Sequence, residues 1–116
     1  MPLNKVVITG MGAVSPYGIG VPVFLEKLSA GQSAVVNMRD EWEPQLEDLM
    51  CYVGAPLAEG INEKAIPRKF RKTMGKTAVL AYFAAKEAIE HSGLNETHFN
   101  SGKVGVSFSS STSIAP

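Results

Sequence analysis

A glycine pair, Gly10 and Gly12 with Ser15 three residues on, is the first place in this chain where residue type and spacing could do chemistry. Glycines that follow a strand and precede a helix let a backbone approach a pyrophosphate at the helix N-terminus, the basis of dinucleotide binding. Here the third glycine is replaced by Ser15, and Pro16 stands where the helix would already run. No acidic residue ends a second strand about 20 positions later to hold a ribose. The pair is therefore read as serving backbone geometry and close packing. Cys51 is the single cysteine. A nucleophilic thiol needs a base or a helix N-terminus to become a thiolate, and Cys51 has neither nearby, so it is expected to be a small buried hydrophobe. His91 near a helix end and His98 in a polar loop are expected on the surface. The serine tract at 109–113 lacks a partner base. A lone cysteine forms no internal disulfide, and no Cys/His set is spaced for zinc, so neither a metal nor a cofactor site is assigned, and no catalytic residue.

The remaining chemical feature is a run of cations, Lys64, Arg68, Lys69, Arg71, Lys72 and Lys76, with no acid between the first and the last. At helical spacing Lys69, Lys72 and Lys76 share one side, as do Arg68, Arg71 and Lys72. Taken alone, such a run is a solvated charged face. The chain as a whole carries eleven basic and eleven acidic side chains and a pI near 6.7. That balance excludes a nucleic-acid binder working by bulk positive field, since counterion release needs a cationic excess.

The elements that must position these residues follow from periodicity. Residues 6–8, Val-Val-Ile, form a short β-favouring run of the kind covered on both faces in a parallel sheet. A Gly-rich loop follows, then a helix carrying Val23, Phe24, Leu25 and Leu28, with Pro22 in its first turn and Gly31 as its stop. Residues 37–50 form an acidic surface connection. Residues 51–53 make a weak strand before Gly54 and Pro56. Residues 62–67 approach a long helix over 68–92, whose Met74, Ala78, Ala81, Tyr82, Ala85 and Ile89 share a face. Its middle, 78–85, is apolar on all sides, so cover is expected on more than one side. Gly93 and Leu94 supply a left-handed stop. Residues 103–108 read as a last strand. The alternation predicts an α/β layered fold, mainly a parallel sheet with covering helices. With 45% apolar residues the chain can bury a core of roughly 65% of its unfolded surface, yet its few elements leave the long helix short of cover. It looks like part of something larger. The longest apolar run, 78–85, is far short of the ~20 residues of a membrane span. The N-terminus lacks the pattern of a secretory signal, so a cytoplasmic protein with no membrane partner is expected.

Several ordered segments together resemble the β-ketoacyl-acyl-carrier-protein synthases, the condensing enzymes of the thiolase superfamily. Residues 5–18, Lys-Val-Val-Ile-Thr-Gly-Met-Gly-Ala-Val-Ser-Pro-Tyr-Gly, are similar to that family's first strand and loop, and 24–33 to its first helix with a Gly-Gln-Ser exit. Residues 66–74, Ile-Pro-Arg-Lys-Phe-Arg-Lys-Thr-Met, resemble its basic segment; 84–94 and 104–106 resemble the end of its long helix and the next strand. The likeness covers the whole of residues 1–116 but only the N-terminal segment of the family's domain. It implies a thiolase-like layered fold, here incomplete.

The resemblance further implies decarboxylative condensation of malonyl-carrier protein with an acyl thioester, in fatty-acid or polyketide synthesis, by a homodimer without cofactor. The family's catalytic cysteine and its histidine or asparagine partners match no position here, so the chain alone is expected to be inactive. The basic segment resembles part of the face that docks the acidic acyl carrier protein: Arg68, Lys69 and Lys72 fall on basic positions of the family, and Arg71 adds a charge. The tract at 109–113 departs from the family's Gly-Ser-Gly-rich turn, and serine takes positive φ less cheaply. Two other readings remain: a non-catalytic chain-length-factor subunit, and a free-standing module that binds acidic carrier proteins.

Overall fold

The computed structural model describes residues 2–42 and 48–110. Residues 2–9 run without a ladder partner among the described residues, and Val6 and Ile8 are 92% and 84% exposed. Regular structure begins with an antiparallel hairpin, β1 (Val14–Ser15) and β2 (Gly18–Ile19), with Val14 opposite Ile19 and Ser15 opposite Gly18. The buried Ser15 hydroxyl accepts from the Tyr17 amide at 3.3 Å, which closes the turn locally. Gly18 at φ 130° and Gly20 at φ 121° occupy backbone space that a side chain rarely enters, and so lead the chain sharply into α1 (Val21–Ser29). Pro22 sits in the first turn of α1, where a missing N–H costs nothing, and Gly31 follows its end, as the sequence predicts.

The acidic connection holds more structure than expected. Strand β3 (Val36–Asn37) pairs antiparallel with β4 (Val53–Gly54), and α2 (Arg39–Trp42) lies between them. Asn37 Oδ1 accepts from the Arg39 amide at 2.9 Å, which starts the helical turn. Met38 is buried beneath, and the Trp42 ring lies so close that a Cβ at Gly54 would come within 2.7 Å of it. Residues 43–47 of the connection lie outside the described residues, as do 111–113 of the serine tract. Cys51, expected to be buried, is exposed. Met38, anchored by donating its amide to Tyr52 O at 2.7 Å, takes the interior place instead.

The helix expected over 68–92 is broken. Asn62 Oδ1 caps a 3₁₀ turn (Glu63–Ala65), and Pro67 then caps α3 (Arg68–Arg71). The Thr73 hydroxyl donates to Phe70 O at 3.1 Å, closing that turn on itself. Gly75 is extended (φ −73°, ψ 168°) and becomes the N-cap of α4 (Lys76–Ser92). Glycine is the weakest helix former after proline, so the break falls there. Gly93 ends α4 at φ 73°, as predicted. In the loop that follows, Asn95 caps α5 (Glu96–Phe99): its side chain accepts from Thr97 N and His98 N, and His98 Nδ1 accepts from Asn95 N.

The mainly parallel sheet is not built among the described residues, whose ladders are the two antiparallel pairs above. Residues 6–8 and 103–108, both expected as strands, have β-forming side chains but no strand neighbour among the described residues to complete their hydrogen bonds. The accessible surface is 9715 Å² and the radius of gyration 18.0 Å. A closed globule of this mass would show roughly 6,100 Å² and about 13 Å. The expected core is correspondingly open: Met38, Ile66 and Val79 are the buried apolar side chains among the described residues. Along α4, Ala78, Ala81, Tyr82 and Ala85 form with Met74 and Phe108 an open apolar groove of about 580 Å³.

Candidate functional site

Residues 10–13 lie directly on α4. A Cβ at Gly10 would overlap the Ala88 carbonyl oxygen, and one at Gly12 the Ala84 carbonyl oxygen. The glycine pair is thus used for close backbone packing, in line with the reading that set aside a pyrophosphate site. One turn along the same face, Glu87 accepts from Ala13 N through Oε2 at 2.9 Å and from Val21 N through Oε1 at 2.8 Å. A single carboxylate therefore joins α4, the hairpin entry and the first turn of α1. His91, four residues further on, accepts from Met11 N at its Nδ1 at 3.2 Å. His91 and His98 are both exposed, and both are spent on backbone amides of their own surroundings.

The cations gather where α3 meets α4. Arg68, Lys69 and Lys72 are exposed, as are Lys64 and Lys76; Arg71 is half-buried, donating from its guanidinium to Glu63 O at 3.1 Å. None of them pairs with a carboxylate among the described residues, where the ion pair present is Lys86–Glu90 at 3.9 Å. The break at Gly75 moves Lys76 onto a separate helix, so the single stripe of Lys69, Lys72 and Lys76 expected from a continuous helix is not formed. Arg68, Lys69, Arg71 and Lys72 stay together on α3 and its C-cap. Between them Phe70 is 53% exposed, with Lys69 Nζ 4.6 Å from its ring centroid. Unpaired exposed cations of this density attract an acidic surface, through orientation and association rate more than through affinity. Among the described residues, no cluster of three or more His, Cys, Asp or Glu side chains is placed to hold a metal.

Residues 3–115 match the family model of the beta-ketoacyl synthase N-terminal domain. The chain belongs to the beta-ketoacyl synthase family. It is 34% identical over 112 residues to a putative polyketide beta-ketoacyl synthase 1 of Streptomyces cyaneus, covering 92% of this chain and 25% of the relative. It is 29% identical over 113 residues to the 3-oxoacyl-[acyl-carrier-protein] synthase 1 of Haemophilus influenzae, covering 97% of this chain and 27% of that one. The crystal structure of a beta-ketoacyl synthase from Burkholderia phymatum superposes with a TM-score of 0.67 at 34% identity, over 81% of this chain and 22% of that chain. The α/β class of the ketosynthases, thiolase-like, is therefore the class of this chain. The chain spans about a quarter of the length of the curated relatives it matches.

Within this family segment, sequence reasoning found the cationic run and the packing role of the glycines. It missed Glu87, because a glutamate next to Lys86 and one turn before Glu90 has the appearance of any solvated helix face. It also passed over Phe70, whose signal is an aromatic side chain set inside the basic run. The short helix α5 had a readable signal too, in Asn95 followed by Glu96.

Proposed function

We propose that this chain is the N-terminal segment of a β-ketoacyl carrier-protein synthase, supplying scaffold and a carrier-docking face to the complete enzyme. The observation that carries the reading is the family match over residues 3–115, joined to cations that pair with no carboxylate among the described residues, at the segment that resembles the family's docking site. A relative named for its acyl-carrier-protein substrate supports an acidic carrier as the partner. Arg68, Lys69, Arg71 and Lys72 orient that carrier so that its acyl arm enters the site.

The complete enzyme transfers an acyl group from a carrier thioester to a cysteine thiolate, expelling the carrier thiolate, which takes a proton from water and leaves as the thiol. Loss of CO2 from the malonyl thioester then leaves an enolate, whose carbon attacks the acyl carbonyl. The new C–C bond forms as the C–S bond to cysteine breaks, and the thiolate is restored. Donors preorganised around the developing oxyanion lower the barrier. Decarboxylation itself supplies the carbanion, so the proposed reaction uses no metal or nucleotide. The enzyme works as a cytoplasmic homodimer. The catalytic thiol has no counterpart in this sequence, so the 116-residue chain alone is inactive.

The test is condensation by the full-length protein. Release of CO2 with formation of a β-ketoacyl-carrier product supports the reading; carrier binding without condensation points to a chain-length-factor subunit. For docking, Lys69→Glu with Lys72→Glu is expected to slow carrier association by about tenfold or more at low salt and to flatten its salt dependence. Unchanged association and salt slope would remove the basic face from the account.

A further inference from the structure

We propose that Phe70 is the apolar anchor of the docking face, seated between carboxylates on an acidic partner surface that offers an apolar pocket. This rests on the carrier-docking reading above and adds to it a residue and a partner chemistry. Every residue within two positions of Phe70 is a cation: Arg68, Lys69, Arg71 and Lys72. Phe70 is 53% exposed, and the Lys69 ammonium lies over its ring at 4.6 Å from the centroid. Other exposed apolar side chains, such as Val6, Val7 and Ile8 or Val106 and Phe108, stand in runs free of charge, as strands awaiting sheet neighbours do. An aromatic ring flanked by four cations is different. Covering it with an apolar interior would strip water from those charges without pairing them, which is costly.

A partner that covers Phe70 must therefore bring carboxylates to Arg68, Lys69 and Lys72 and an apolar surface to the ring. Interfaces concentrate binding energy in a central aromatic side chain ringed by groups that exclude water. The cations set approach and orientation, and the desolvated ring sets how long the complex lasts. The partner side is an acidic surface whose carboxylates border an apolar patch.

The experiment measures dissociation constants of the full-length enzyme for the acidic acyl carrier protein over a range of salt concentrations. The variants are Phe70→Ala, Phe70→Leu and Lys69→Glu with Lys72→Glu, each with its thermal unfolding midpoint. Phe70→Ala is expected to weaken binding about tenfold or more, chiefly through faster dissociation, with the salt slope and the unfolding midpoint unchanged. Phe70→Leu is expected to recover most of the loss. If Phe70→Ala stays within about twofold of wild type while the charge reversal weakens binding, the anchor is overturned and the docking reading stands. If neither variant changes binding, both fall. A weakening accompanied by a lowered unfolding midpoint, or not recovered by leucine, also overturns the anchor, because the ring would then be serving the fold.

Discussion

The carboxylate of Glu87 meets two backbone amides that belong to different parts of the chain, Ala13 N and Val21 N. Both donors sit at places where local structure leaves them unpaired: one at the hairpin entry, the other in the first turn of a helix, whose early N–H groups have no intrahelical acceptor. Glu87→Gln keeps the shape but converts one accepting oxygen to an NH2 donor facing an N–H. The expected result is a loss of about 1–2 kcal/mol in the full-length protein, read from denaturant unfolding. Wild-type stability in that variant would mean that the second amide finds water at no cost. None of this was legible in the sequence. Glu87 and Glu90 are both glutamates on a helix that also carries Lys86; Glu90 pairs with that lysine, and only the path of residues 10–21 brings two backbone amides to Glu87. Cys51 shows the opposite failure, since a cysteine's frequent burial is a statistical tendency and here Met38 occupies the interior place.

Between elements, contact is made at the backbone. The segment 10–13 approaches α4 so closely that neither Gly10 nor Gly12 leaves room for a methyl group. Gly12→Ala must therefore push the segment off the Ala84 carbonyl, which is expected to cost about 1–3 kcal/mol. The shift should appear as a lowered unfolding midpoint and as faster amide exchange at Ala13, whose bond to Glu87 lies on the same segment. An unchanged midpoint would show that the loop relaxes freely. The glycine pair, α1 with its Pro22 start and the Gly93 stop were legible because each depends on one residue's conformational limits. The break between α3 and α4 was not. Gly75 alone is tolerated in many helices, and here Pro67 capping a short first turn and the Thr73 hydroxyl bond to Phe70 O combine with it. Separating Lys76 from Lys69 and Lys72 leaves Arg68, Lys69, Arg71 and Lys72 together on α3 and its C-cap, and so narrows the proposed docking face to them.

As a whole, the described chain is an open assembly: α4 presents an apolar groove, and two β-forming segments lack ladder partners. Unpaired strand groups and uncovered apolar surface both favour association. The purified 116-residue chain is expected to show fast amide exchange over most residues and to self-associate in sedimentation, whereas a protected, monomeric chain would favour the free-standing carrier-binding module. No helix among the described residues is long and apolar enough to cross a membrane. By itself the sequence determined the family, the α/β class, the apolar character of α4, and the run of cations from Lys64 to Lys76. Each of these is carried by residue identity and short-range spacing, which the chain keeps whatever surrounds it. The tertiary structure alone decided that the strand-like segments stay unpaired, that Cys51 faces outward, that Gly75 divides the long helix, and that Glu87 holds three elements. Those outcomes depend on which groups meet across long stretches of sequence. A β-favouring run becomes a strand only when another backbone supplies the other half of its hydrogen bonds.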